Sequence, residues 1–228
     1  LFIGNIAHEL WNPLASIKTA LEVALMKDKL EHDYIKEMLA SNIEELDRIS
    51  DTINNLLSIN TLVLHSKIKL DKVSLEQVVE AVIDKLNPLL KIKNHNLVYE
   101  KNGDSYISGK KVALEQIILN ILKNAINYTP NGGTIHVSVN SHRGDFVGLV
   151  IEDNGVGITK SNIFHVFEPF YRADPSRVRG SSGSGLGLAI VNELVKLHKG
   201  KIYIRSVIKK GTVVTIDFPH YSKDQYTN

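Results

Sequence analysis

Apolar or small residues recur at Ile3, Ala7, Leu10, Leu14, Ile17, Leu21 and Ala24, stepping by four and three along the chain. This is the seam spacing of a heptad repeat and predicts one long amphipathic helix. A mostly polar stretch over 28–33 interrupts the pattern, which resumes at Leu39, Leu46, Ile49, Ile53, Leu56 and Val63, with Asn42 and Asn60 also on the seam. A second, longer helix is expected there. Two helices joined by so short a polar connection form an antiparallel pair. A lone pair buries too little surface to stand by itself, so dimerisation into a four-helix bundle is its natural completion.

On this heptad Ala7 takes an a position and Leu10 a d position, which puts His8 at b and Asn12 at e, outside the seam. His8 is therefore expected to face solvent, with Asn12 one turn later on nearly the same face and Glu9 beside it. Pro13 cannot donate to the carbonyl of Glu9, so the backbone next to His8 is expected to bend or loosen. Most exposed helix histidines are simply solvated, and spacing alone does not separate that case from a functional one.

From Ser74 the periodicity changes character. Ser74 with Gln77 makes an S-x-x-Q capping box opening a helix to about Lys93, and 97–100 reads as a strand. A helix over 110–128 carries Val112, Leu114, Ile117, Ile118, Ile121, Leu122 and Ala125 on its apolar side, with Asn120 and Asn124 four apart on another. Such an amide pair serves either a neighbouring loop or a ligand. After a turn at 130–133 come strands over 134–140 and 146–152, then Asp153-Asn-Gly-Val-Gly157. A carboxylate ends a strand there, able to accept from an exocyclic amine, beside glycines that let the backbone approach a ligand. Taken alone, D-x-G-x-G resembles many β-turns.

An aromatic cluster, Phe167-Glu-Pro-Phe170-Tyr-Arg172, precedes the polar segment 173–184, which has the composition of a lid. Gly183-Ser-Gly185-Leu186-Gly187 then opens a helix bearing Leu188, Ile190, Val191, Leu194 and Val195 and ended by Gly200. A glycine-rich helix start offers backbone N–H groups to an anion. It is not a dinucleotide fingerprint, because the pattern is G-x-G-x-G, no strand immediately precedes it and no βαβ repeat surrounds it. Strands over 201–206 and 212–218, joined through Lys209-Lys-Gly211, close the chain.

Composition narrows the classes. With 228 residues, 43% of them hydrophobic and 23% charged, the chain is globular and has room for one large domain or two small ones. Zero cysteines exclude a disulfide framework, a thiolate metal site and a cysteine nucleophile. A formal net charge of +2 does not suggest a dedicated nucleic-acid surface. The start of the chain lacks the basic region of a signal peptide, and no run is long and apolar enough to span a bilayer. Of 15 glycines only Gly4 lies in the first 102 residues, while ten fall between Gly144 and Gly211, so the chain has two unlike parts.

In this order, Phe2-Ile-x-x-Ile-Ala-His8-Glu-Leu-x-Asn12-Pro13-Leu, Asn120-x-x-x-Asn124-Ala, Asp153-x-Gly155-x-Gly157, Phe167-x-x-Phe170 and Gly183-x-Gly185-Leu-Gly187-Leu resemble the H, N, G1, F and G2 boxes of sensor histidine kinases. The resemblance covers essentially the whole chain. It implies an α+β molecule with an N-terminal antiparallel helical hairpin over 1–68, dimeric as a four-helix bundle, for dimerisation and histidine phosphotransfer. An α/β-sandwich ATP-binding domain of the GHKL type would follow over 69–222, with a C-terminal tail at 223–228. His8 would be the phosphoacceptor, its Nε2 in line with the γ-phosphate of ATP, Glu9 would accept from Nδ1–H and fix the tautomer, and Asn12 would orient a water for a reverse phosphatase activity. Asn124 would hold Mg²⁺ and Asn120 would support it. Asp153 would accept from the adenine amine in a pocket shaped by Gly155 and Gly157, with Tyr128, Phe170, Arg172 and Leu186 also at the nucleotide. Gly183, Gly185 and Gly187 would hinge the lid and line the phosphates.

The resemblance also implies ATP and Mg²⁺ as cofactors, a homodimer, a response-regulator receiver domain as acceptor, and no nucleic-acid partner. The catalytic portion would be cytoplasmic. Because His8 lies so near the first residue, the first helix is expected to continue upstream into a sensor region that supplies any membrane anchor. Two positions depart from the family pattern, since Trp11 and Asn127 stand where a basic residue is usual. They motivate a rival reading, a dimeric nucleotide-binding pseudokinase or scaffold that transfers no phosphate. A GHKL ATPase of the chaperone or topoisomerase kind is disfavoured by the H box.

Overall fold

The two seam patterns form two helices, α1 (Phe2–Leu25) and α2 (His32–Leu64), side by side in a computed structural model that describes residues 2–26, 31–64, 70–142, 146–172 and 185–221. α1 continues as one helix through Pro13, which is buried. The polar stretch between the seams is a shorter connection than its polarity suggests: His32 and Asp33 belong to the first turn of α2, where the carboxylate suits the positive end of the helix dipole. Asn42 is buried on the seam, and the side chain of Asn60 lies outside the described residues.

The remaining elements are β1 (Asp71–Ser74), α3 (Leu75–Ile92), β2 (Asn96–Asn102), β3 (Tyr106–Gly109), α4 (Lys111–Tyr128), β4 (Thr134–His142), β5 (Phe146–Asp153), α5 (Lys160–Ile163), α6 (Gly187–Leu197), β6 (Lys201–Val207) and β7 (Gly211–Pro219). Five strands form one sheet in the order β2-β4-β5-β7-β6. Only β2 and β4 run parallel, which requires a crossover, and α4 lies in that connection. β1 and β3 form a separate antiparallel pair, extended by a bridge from Ile107 to His220.

Strand alternation decides where the core sits. Along β4, Ile135, Val137 and Val139 are buried while His136 and Ser138 between them are not, so the helices cover one face of the sheet. Leu75 and Val79 of α3, Leu114, Ile117, Ile118 and Leu122 of α4, and Ile190 and Val191 of α6 meet that face with no exposed surface. Burying a Leu or Ile side chain is worth about 1.5–3 kcal/mol, so this cluster is the main source of the sandwich's stability. The N-cap half of the capping box forms, with the Ser74 hydroxyl accepting from the Gln77 N–H at 3.4 Å. The pattern of apolar positions does not disclose β1, β3 or α5, each four residues long.

Candidate functional site

α4 is the hub of the site. Its apolar side is held by the sheet, which leaves Asn120 and Asn124 half-buried on its flank. The Asn120 amide donates to the Gly187 carbonyl at 3.3 Å and accepts from Gln116 at 3.4 Å, so both its ends are engaged and it ties α4 to the start of α6. The side chain of Asn124, one turn further on, makes no hydrogen bond among the described residues. Two turns beyond Asn120 the Tyr128 carbonyl accepts from the Val156 N–H at 3.1 Å, tying the other end of α4 to the turn after β5. One helix thus joins the glycine turn of α6 to the Asp153 turn, with the Asn124 amide between them.

Asp153 is the last residue of β5, flanked in register by Ile135 of β4 and Thr212 of β7. Its carboxylate accepts from the Gly155 N–H at 2.9 Å. Burial pushes the carboxyl up from its ordinary pKa, the Gly155 and Thr212 N–H groups pull it back, and neighbouring Glu152 adds to the rise. A half-buried carboxylate with lone pairs to spare suits an amine donor. Gly155 leaves no room for a side chain, because a Cβ would run into the Tyr128 carbonyl. Gly157 takes the following bend with φ +70°.

At the other end, α6 begins with Leu186 as its N-cap, a fully buried residue that cannot cap. Among the described residues the first N–H groups of the helix therefore have no side-chain acceptor, which suits an anion. The Phe170 N–H donates to the Gly185 carbonyl at 3.0 Å, joining the aromatic cluster to this turn. Phe170 is half-buried against the core, and Arg172 is half-buried at the end of its described segment. Gly183 and the expected lid at 173–184 lie outside the described residues.

In the hairpin, the side chains of His8 and Glu9 lie outside the described residues, while their backbone is helical. Asn12 is exposed, as its e position requires, and Trp11 is 72% exposed. Asn127 is exposed on α4.

No group of three or more His, Cys, Asp or Glu side chains suited to a metal occurs among the described residues. The donors at α4 fit Mg²⁺ nonetheless, since this ion keeps most of its waters and takes phosphate oxygens with one or two protein oxygens. Asn124 offers such an oxygen, whereas Asn120 is already committed.

Two supports of the Asp153 turn escape sequence reasoning. Gly211, which the sequence presents only as part of a hairpin turn, has φ +111° and lies so close that a Cβ would strike the Asp153 carbonyl. Asn154 clamps the turn to β4, its side chain accepting from the Thr134 N–H at 2.9 Å and its own N–H donating to the Thr134 carbonyl at 3.2 Å. The glycine is visible in the sequence, but the long-range pairing of β5 with β7 is not.

The family model described as "His Kinase A (phospho-acceptor) domain" matches residues 1–63, and that described as "Histidine kinase-, DNA gyrase B-, and HSP90-like ATPase" matches 109–222. Sensor histidine kinase CusS of Escherichia coli strain K12 is 32% identical over 96% of this chain and 45% of its own length. Sensor histidine kinase WalK of Bacillus subtilis is 30% identical over 98% of this chain and 37% of its own. The chain thus spans less than half the length of these curated relatives. A crystal structure of histidine kinase ThkA in complex with response regulator protein TrrA shares the fold at 19% identity, with a TM-score of 0.75 over 98% of this chain and 62% of that one. With an H-box helix and a nucleotide-type sandwich joined in one chain, and both family models matched in that order, the chain belongs to the sensor histidine kinases.

Proposed function

We propose that this chain is the catalytic core of an ATP-dependent protein-histidine kinase that autophosphorylates on His8, with 1–68 as the phosphotransfer and dimerisation hairpin and 69–222 as the ATP-binding domain. The observation that carries the reading is the placement along α4 of three groups that a nucleoside triphosphate needs. The Asp153 turn is attached at Tyr128, the unpaired Asn124 lies one turn back, and the uncapped start of α6 is attached at Asn120. Tyr128 and Asn120 are eight residues apart, ~12 Å of helix, a span on the scale of ATP from base to phosphates.

In this reading the adenine amine donates to Asp153, beside Tyr128 and the backbone at Gly155 and Gly157. The phosphates meet the N–H groups at Gly185, Leu186 and Gly187, with Gly183, Phe170 and Arg172 at the lid. Mg²⁺, when bound, neutralises phosphate charge, and Asn124 would hold it while Asn120 keeps the glycine turn in place. His8 Nε2 bonds to the γ-phosphorus as the bond to the bridging oxygen breaks and ADP leaves. Glu9 takes the charge that develops at Nδ1–H, so the protein's task is positioning and charge neutralisation. The phosphoryl group would then pass to an aspartate of a receiver domain, as the pairing of ThkA with TrrA suggests by likeness. Asn12, exposed one turn after His8, is suited to orient water for a phosphatase step.

Incubation with γ-labelled ATP and Mg²⁺ is expected to give an acid-labile, base-stable phosphoprotein. His8→Gln should abolish the label and leave ATP binding intact; undiminished label in that variant sinks the assignment. ATP binding without any label in the wild-type chain would favour the scaffold reading that Trp11 and Asn127 motivate.

A further inference from the structure

His198 lies at the C-cap of α6, is 2% exposed and has no part in the site described above. Its Nε2 accepts from the backbone N–H of Lys110 at 3.1 Å, so Nε2 carries a lone pair and the proton sits on Nδ1, which donates to the Leu194 carbonyl at 2.6 Å. Lys110 is the N-cap of α4 and makes no side-chain cap bond of its own. In a capping box the N3 side chain would reach back to that N–H, but the N3 residue here is Ala113, which has nothing to offer. An imidazole 88 residues away in sequence takes over the task. The ring also packs edge-on against Phe218, with 5.9 Å between centroids, and Gly109 leaves the space it occupies.

The position of this bond matters more than its strength. α4 and α6 pack together and are pinned at two levels, the start of α4 to the end of α6 through Lys110 and His198, and the middle of α4 to the start of α6 through Asn120 and Gly187. The pins are ten residues apart on α4 and eleven on α6, or ~15 and ~16 Å along the helices. Apolar contacts between two helices resist separation but define sliding only loosely. Two polar pins at separate levels define it.

We propose that His198 is a positioning residue for the nucleotide site: its neutral imidazole fixes the axial register of α6 against α4 and so holds the glycine turn at Gly187 against Asn120 and Asn124. The proposal rests on the nucleotide-site reading above. Burial holds the imidazole below its usual pKa, which keeps the acceptor lone pair available. A slide of even one residue would move the turn by ~1.5 Å, enough to spoil phosphate placement.

The test is the KM for ATP against kcat in autophosphorylation, for the whole chain carrying His198→Phe, His198→Asn or His198→Gln, with Asn124→Ala as the site control. Phe preserves the packing on Phe218 and loses both hydrogen bonds, Asn is too short to reach the Lys110 N–H, and Gln reaches it. The expected result is a KM raised about tenfold in Phe and Asn, the worth of one buried hydrogen bond, with kcat changed less and Gln close to wild type. Should Phe fail to fold, the contrast between Asn and Gln decides the question in its place. A wild-type KM in Phe and Asn alongside a raised KM in Asn124→Ala overturns the register lock and leaves the site reading standing. Equal impairment by Asn and Gln overturns it too, since that is the mark of a merely structural residue. A wild-type KM in Asn124→Ala as well overturns the site reading itself.

Discussion

The hairpin and the sandwich handle apolar surface in opposite ways. In α4, Leu114, Ile117, Ile118 and Leu122 are all 0% exposed, whereas in the hairpin Leu14, Leu21, Leu39 and Leu46 are 48%, 44%, 49% and 51% exposed. Both sets sit at regular helical spacing, so periodicity alone does not distinguish them. The sandwich closes its core with its own sheet, while the hairpin leaves its seam half-bare. A regular apolar stripe left half-bare is the mark of an interface, and it supports the proposed four-helix bundle.

Charging the seam puts this difference under the greatest strain. Leu21→Asp combined with Leu46→Asp is expected to convert a dimer fully to monomer in sedimentation equilibrium while the sandwich melts as before. A wild-type chain that is already monomeric at high micromolar concentration removes the basis of the contrast. Next in size is the sandwich core, where Leu122→Ala should cost about 2–5 kcal/mol in denaturant unfolding, the range for a Leu-sized cavity, and leave association untouched.

Asp153→Asn separates stability from function inside the sandwich. Loss of a charged acceptor should weaken ATP binding about 10–100-fold by calorimetry. The sign of the stability change follows from the raised pKa of the buried carboxyl. Its contribution to stability is present below the unfolded-state pKa and is lost as pH rises through the folded one, so at neutral pH the ionised group is a cost. The nucleotide-free variant should therefore melt higher than wild type at pH 7, with the difference shrinking as pH falls toward the usual aspartate range. A lower melting temperature at pH 7 contradicts this. The smallest effect belongs to Trp11→Arg. With the indole 72% exposed, stability should stay within about 0.5 kcal/mol, and a larger loss would mean that Trp11 belongs to the seam.

Much of this is legible in the residues alone, and what is not shares one physical cause. The seam, α3, α4, the long strands and the Asn120/Asn124 pair all follow from local periodicity. β1 and β3 do not, because each has only four residues and exists through pairing with the other across more than thirty positions. Gly211 and His198 are invisible as supports for the same reason: one braces the Asp153 turn from another strand, the other caps a helix from the end of a distant one. Polarity also misleads at His32 and Asp33, where polar residues open a helix rather than fill a loop.

The nucleotide domain, on this reading, serves one acceptor on the hairpin. Peptide mapping by mass spectrometry at neutral to alkaline pH, after reaction with ATP and Mg²⁺, tests this most directly. The expected result is a single phosphoryl group on the peptide that contains His8. Phosphoryl on any other residue, with the His8 peptide unmodified, contradicts it.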